Sequence, residues 1–349
     1  MTPKAVIFLL LLLPFLMHAQ SPSYSDVVLT DIFDEPVTAS CHASTIVELG
    51  PDHLLAAWFG GTQEGAKDVA IYASDREGEE WSRPRQLVAP LVTDGDTLPC
   101  WNPVLFRSAR GRLYLFYKVG KNPREWFGAL LTSDDDGRHW SDPRYLPDGI
   151  LGPIRNKPIE TEAGILLCGS STEDPATDAW RVHLERYYEA DDRWETVAVP
   201  NPREFEIIQP TFLEHGGDTL QILCRSKHDR LVGSWSYDRG DSWTEADTLA
   251  IPNSNSGVDA VTLNTGDFLL VNNPLPRGKN WWNGRNVLDV EYSADGRQWE
   301  PLFDLERHPE GEYSYPAIIQ ATDGTIHVVY TFDRRIIRHA SFQISPAKR

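Results

Sequence analysis

Polar residues recur in this chain at the mouths of apolar runs. Ser44, Asn102, Lys157, Gln209, Asp259 and Tyr315 each open such a run, and four of them directly precede proline. They lie roughly fifty residues apart. One polar strand mouth is a solvent cap; six that converge on one axis make a binding pocket. Basic groups (His42, Lys118, Arg225, Arg285, Arg334), acids (Glu64, Asp68, Glu173, Glu312) and two tyrosines (Tyr313, Tyr315) belong to loops and strand ends on the same side. Carboxyl groups move protons, a phenol offers a nucleophilic oxygen, and guanidinium groups clamp carboxylates. Both signs of charge together suit acid–base chemistry on an anionic sugar. Trp101, Trp126, Trp281 and Trp282 fall in loops at that end and offer flat faces for sugar stacking.

The elements that must position these groups are read from repeats. A turn followed by an alternating apolar strand occurs six times, as in GPDHLLAAWFGG at 50, ARGRLYLFYKVG at 109 and ATDGTIHVVYTF at 321. Each copy follows another short strand, which makes a β-hairpin. The repeat length is that of one four-stranded propeller blade. Between hairpins, SDDDGRHW at 133 and SYDRGDSW at 236 share the pattern Ser-x-Asp-x-Gly-x-x-Trp. Degenerate copies stand at 74, 190 and 293. In such a turn Asp binds backbone N–H groups, Gly supplies positive φ, and Trp folds back between sheets. The expected fold is therefore all-β: a six-bladed propeller of four-stranded antiparallel blades. The segment DVVLTDIF (26–33) supplies the outer strand of the last blade and closes the ring, which removes free sheet edges.

Composition bounds the rest. The chain has 349 residues and 51 acidic against 33 basic ones, a net charge of −18. Such a surface repels nucleic-acid phosphates and anionic lipid heads, so neither is an expected partner. The one long apolar run, AVIFLLLLLPFLM at 5–17, follows Lys4 and precedes His18-Ala19-Gln20. It reads as a signal peptide over residues 1–19, which leaves 20–349 as one exported domain, periplasmic or extracellular, and a monomer. Cys41, Cys100, Cys168 and Cys224 show no metal-like spacing. They read as buried thiols, with one or two disulfides as the alternative. Neither a metal nor a cofactor is implied.

The turn repeats resemble the Asp-boxes of the sialidase-like BNR-repeat family, in its bacterial "predicted neuraminidase" branch. The resemblance spans the whole chain beyond the signal and implies the six-bladed propeller. It also implies roles. Sialidases pair a Tyr nucleophile with a carboxylate, use an Asp acid/base, and bind the substrate carboxylate with three Arg. GEYSYPAIIQ puts Tyr313 on the nucleophile, QPTFLEHGGDTLQILCR puts Arg225 on the second Arg, and GRNVLDVEYS puts Arg285 on the third. The first Arg is missing: CHASTIVEL offers His42 in its place. The nucleophile's Glu partner falls on Gln209, with Glu312, Glu173 or Glu206 as substitutes. In GGTQEGAKDVAIY, Glu64 takes precedence over Asp68 as the acid. The resemblance implies an exo-glycosidase acting on a terminal acidic sugar. A uronate-polysaccharide lyase and a binding propeller without turnover are the alternatives.

Overall fold

The computed structural model describes residues 22–280 and 282–345. The signal assigned to residues 1–19, and Trp281, lie outside the described residues. Six four-stranded antiparallel sheets succeed one another along the chain, as the repeats require. Their innermost strands are Ser40–Gly50, Cys100–Arg107, Ile159–Glu160, Ile207–Glu214, Asp259–Thr262 and Tyr313–Gln320, and we number the blades 1 to 6 accordingly. Blade 1 carries a fifth strand, Arg85–Val88, on Ala70–Glu77. Among the described residues the only helical element is a 3-10 turn, Glu189–Asp191.

The inner strands are buried on both faces, because each blade packs against the next. That explains why they read as nearly continuous apolar runs. Apolar layers fill the gaps: Leu55, Phe59, Leu105 and Leu115 belong to one shared by blades 1 and 2. Leu269, Val290, Ile318 and Tyr330 belong to one shared by blades 5 and 6.

The turn motif behaves as its residue types dictate. In blade 2 the Ser133 hydroxyl accepts from Gly137 N at 3.0 Å, and Asp135 accepts from His139 N at 2.9 Å. Trp140 Nε1 donates to Gly137 O at 3.0 Å. Blade 4 repeats this with Ser236, Asp238, Gly240 and Trp243. Gly137 and Gly240 hold φ of 79° and 88°, the left-handed region that a side chain makes costly.

Closure is made by the early segment. Val28–Asp31 pairs antiparallel with Ile336–Phe342, Val28 opposite Ser341 and Asp31 opposite Arg338. Arg338 Nε donates to Asp31 at 2.7 Å while its Nη1 donates to Glu306 at 2.8 Å, which ties the strand into blades 5 and 6. All four cysteines are free, buried thiols. Burial pushes the Cys41 and Cys100 thiols up to about 12, so they are inert at neutral pH.

Candidate active site

Four inner strands carry a β-bulge at the same register. It falls between His42 and Thr45, Trp101 and Val104, Ile208 and Thr211, and Ser314 and Ala317. Each bulge holds one residue at left-handed φ: Ala43 (54°), Asn102 (39°), Gln209 (57°) and Tyr315 (54°). Such a conformation costs about 1–3 kcal/mol at a non-glycine residue and persists only where the surroundings over-determine it. Bulges re-aim side chains, and these stand where the inner strands begin. In blade 1 the register belongs to Ala43, one residue before the expected Ser44.

Tyr315 is the centre of the arrangement. Its hydroxyl accepts a hydrogen bond from Arg225 Nη1, and the same guanidinium donates to Gln209 Oε1 at 3.2 Å and to Asn255 Oδ1 at 3.1 Å. The guanidinium carbons of Arg155, Arg225 and Arg285 lie 5.4, 5.6 and 5.6 Å from the centroid of its ring. The His42 ring sits 4.2 Å from it. Close by, Arg285 donates to Glu312 at 2.8 Å and to Asn255 O at 3.3 Å. Arg334 Nε donates to Glu312 at 2.7 Å and its Nη1 reaches Glu64, so one guanidinium joins blade 6 to the loop of blade 1.

The electrostatics follow. Burial and then the charges of Arg334, Arg285, Arg155 and Arg225 hold His42 well below its usual range, so it is a neutral imidazole. Its Nδ1 bonds Thr331 Oγ1 at 2.9 Å, while its buried Nε2 has no hydrogen-bond partner among the described residues. Burial pushes the Glu312 carboxyl up, but the hydrogen bond from Arg334 and the charge of Arg285 outweigh it and leave the group ionised. Glu173 is raised by burial against the pull of Arg225 and Arg124.

The structure therefore brings together His42, Glu64, Gln209, Arg225, Arg285, Glu312, Tyr315 and Arg334. It corrects several sequence readings. Tyr313, the expected nucleophile, is buried against His308 and Phe332, on the side of Arg338 and not in the Tyr315 cluster. The bulge that follows Ser314 turns Tyr315 into the pocket instead. Lys118 is fully buried between blades 2 and 3, where it bonds Pro153 O beside Glu185. Trp101 is 5% exposed and donates to Gly120 O at 2.7 Å. It props the loop of Glu64 by contact with Gly65, so it offers no face to a sugar. Asn102 holds Ile154 O at 3.3 Å. Lys157 reaches across to Asp259, which also accepts from Thr211 Oγ1 at 2.7 Å and Ile318 N at 2.9 Å. Those three ring positions brace the blades. Asp68 is bound by Thr62 of its own loop, whose hydroxyl holds the carboxyl below the usual range. Glu173 stands beside Arg225 and Arg124 at the edge of the cluster.

One site residue went unread in the sequence: Arg155. It precedes the short inner strand of blade 3, where a loop replaces the bulge. The signal for Arg155 was an arginine two residues before the ring position Lys157. Among the described residues no group of three or more His, Cys, Asp or Glu side chains is placed to hold a metal ion.

Comparison with known proteins agrees with the fold. The model of the BNR repeat-like domain matches residues 52–328. No curated protein matches the chain. Among solved structures, a protein of unknown function from Dyadobacter fermentans superposes with a TM-score of 0.71 at 14% identity, covering 91% of this chain and 99% of that one. The NanB sialidase of Streptococcus pneumoniae gives 0.66 at 12%, covering 91% and 70%. The Trypanosoma rangeli sialidase gives 0.72 at 14%; 91% of this chain is covered but only 59% of that one. At these identities the likeness is one of fold.

Proposed function

The chain belongs to the BNR repeat-like domain family, and from that premise we propose that it is a glycoside hydrolase that releases a terminal acidic sugar. The observation that carries the reading is the Tyr315 hydroxyl held by Arg225 among three guanidinium groups. Arg225 Nη2 makes no hydrogen bond among the described residues, so donors remain for a substrate carboxylate beside Arg285. The Tyr315 oxygen, its proton released to solvent, forms a bond to the anomeric carbon as the glycosidic C–O bond breaks. The leaving oxygen keeps that electron pair and takes the proton of Glu64, which stands at the mouth of the pocket on Arg334. Water then attacks the glycosyl-tyrosine, gives its proton to Glu64 and frees the phenol oxygen, as for the tyrosine exceptions among glycosidases.

Fold neighbours support the substrate class: the Trypanosoma rangeli sialidase was solved in complex with sialic acid. Two features argue for a different acidic sugar here, such as a uronate. His42 replaces one arginine of the family's clamp, and Gln209 replaces the carboxylate beside the tyrosine. The test is product analysis on a fluorogenic sialoside and a panel of uronate-terminated glycans. Free acidic sugar that has gained one water supports the reading, with weak turnover of the sialoside.

One observation favours a second reading, a uronate lyase. His42 is neutral, its Nε2 is unpartnered, and its ring touches Tyr315. It would take the proton beside the carboxylate while Tyr315 protonates the leaving oxygen. An unsaturated, ultraviolet-absorbing product identifies that reaction; binding with neither product identifies a lectin. We further propose export with removal of residues 1–19. Mass spectrometry of the mature chain starting near Gln20 supports it, and a start at Met1 sinks it.

A further inference from the structure

A tyrosine that lacks a carboxylate partner needs another source of activation, and Gln209 cannot accept the phenol proton for keeps. Arg155 offers one. It stands in the loop before blade 3's inner strand and is 1% exposed. Its Nη2 donates to Pro316 O at 2.6 Å, the carbonyl next after Tyr315, and its guanidinium carbon lies 5.4 Å from the Tyr315 ring centroid. Its Nε is buried and makes no hydrogen bond among the described residues.

The pairing of charges singles it out. Glu312 is shared by Arg285 and Arg334, Glu64 is taken by Arg334, and Asp259 is taken by Lys157. Arg155 and Arg225 make no ion pair within 4 Å among the described residues; Asp259, whose charge acts most on Arg155, is itself bound to Lys157, and Glu173 acts on Arg225 from the edge of the cluster. Burying an unpaired cation is expensive, so a counter-charge is expected in use. Arg225 faces both the phenol oxygen and the place for a substrate carboxylate. Arg155 is the more deeply buried of the two, 1% exposed against 6% for Arg225. The groups facing Tyr315 are His42 from blade 1, Arg155 from blade 3, Gln209 and Arg225 from blade 4, and Arg285 from blade 5. None of them is an anion.

Resting on the reading of Tyr315 as nucleophile, we propose that Arg155 is a positioning residue that stabilises negative charge on the Tyr315 oxygen, in place of the missing carboxylate. The phenol proton is released to solvent. The oxygen electron pair then forms the bond to the anomeric carbon, and the pair of the broken C–O bond leaves with the departing oxygen. In the second half-reaction the same cation stabilises the phenolate as leaving group.

The test uses the full chain. R155M lowers kcat about a hundredfold at neutral pH with KM within about threefold, and the deficit shrinks as pH rises, while R155K keeps the rate within about tenfold. A rise in KM at constant kcat would mean that Arg155 binds substrate and would overturn the proposal. So would a deficit equal at all pH values, the mark of a merely structural role. A readout without substrate is the ultraviolet tyrosinate signal of the wild type minus that of Y315F at one alkaline pH. It is expected in the wild type, retained in R155K and diminished in Q209E, which places a carboxylate beside the phenol and needs no change at the buried arginine. Its absence from the wild type, or its persistence in Q209E, overturns the proposal whatever the activity. Its presence with no turnover of any acidic glycoside overturns the proposed function and leaves the role of Arg155 standing.

Discussion

Two buried charge clusters in this protein have opposite characters. Between blades 2 and 3, Glu185 accepts from Leu151 N at 3.1 Å, Gly152 N at 2.6 Å and His183 Nε2 at 2.9 Å, with Lys118 beside it on Pro153 O. Every charge there has a partner, and burial has pushed the Lys118 amine down to about 7 despite Glu185. At the axis, Arg155 and Arg225 make no ion pair within 4 Å among the described residues, Arg155 Nε is unpartnered, and so is one nitrogen of His42. The first cluster is complete without a ligand, whereas the second has donors left over. Charge and burial are alike in both. What marks a site is unspent hydrogen-bonding and electrostatic capacity.

That contrast can be broken by substitution. Tyr315→Phe is expected to remove turnover by on the order of a thousandfold or more while product binding stays within a few-fold, read by kinetics beside calorimetric titration. Retained activity would return the nucleophile to another residue. Glu185→Ala strands Lys118 and three donors, so it costs about 3–5 kcal/mol of stability in chemical denaturation, while the folded fraction keeps its kcat and KM. If it changed KM instead, the two clusters would not be separate. Arg225→Gln removes one charge-assisted contact with the substrate carboxylate, about 1.5–3 kcal/mol or ten- to a hundredfold in product affinity.

The smallest effect concerns a third buried place, in blade 5. Asp289 is pushed up to about 8 by burial first, then by Glu291 and Asp304, and its Oδ1 lacks a hydrogen-bond partner. Its folded-state value is above the unfolded one, so the protonated acid is favoured on folding. The stability it contributes is full below about pH 4 and is lost as pH rises towards 8. Asp289→Asn should therefore stabilise by roughly 1–3 kcal/mol at pH 7 and by little at pH 4. Equal gains at both pH values would show that titration is not the cause.

Legibility in the sequence differed between fold and site for a physical reason. The Ser-x-Asp-x-Gly-x-x-Trp turns satisfy themselves within a few residues, so their pattern survives in the chain and counts the blades. The closing strand Val28–Asp31 was legible because blade 6 otherwise had only three strands. The pocket depends on bulges, and a bulge shifts facing by one residue without altering composition. That is why Ser44 was taken for Ala43's register; Tyr315 was read on the ring, while the family resemblance put the nucleophile on Tyr313. In blade 3 the inner strand is only Ile159–Glu160, so a loop carries Arg155 inward and no period marks it. Lys118 lies in LYLFYKV, and its type suggested a ligand contact that its neighbours had already used up.

The closing strand also sets a clock. Asp31 meets Arg338 across 307 residues, and His42 meets Thr331 across 289. During synthesis an early strand waits for nearly the last. Contacts so distant in sequence form late and slowly, although the entropy of closing so long a loop grows only with the logarithm of its length. The pocket lies on that seam: His42 comes from blade 1, Tyr315 and Arg334 from blade 6. The pocket is thus complete only when the ring is joined, and a nascent or clipped chain, however well its middle blades have folded, lacks it.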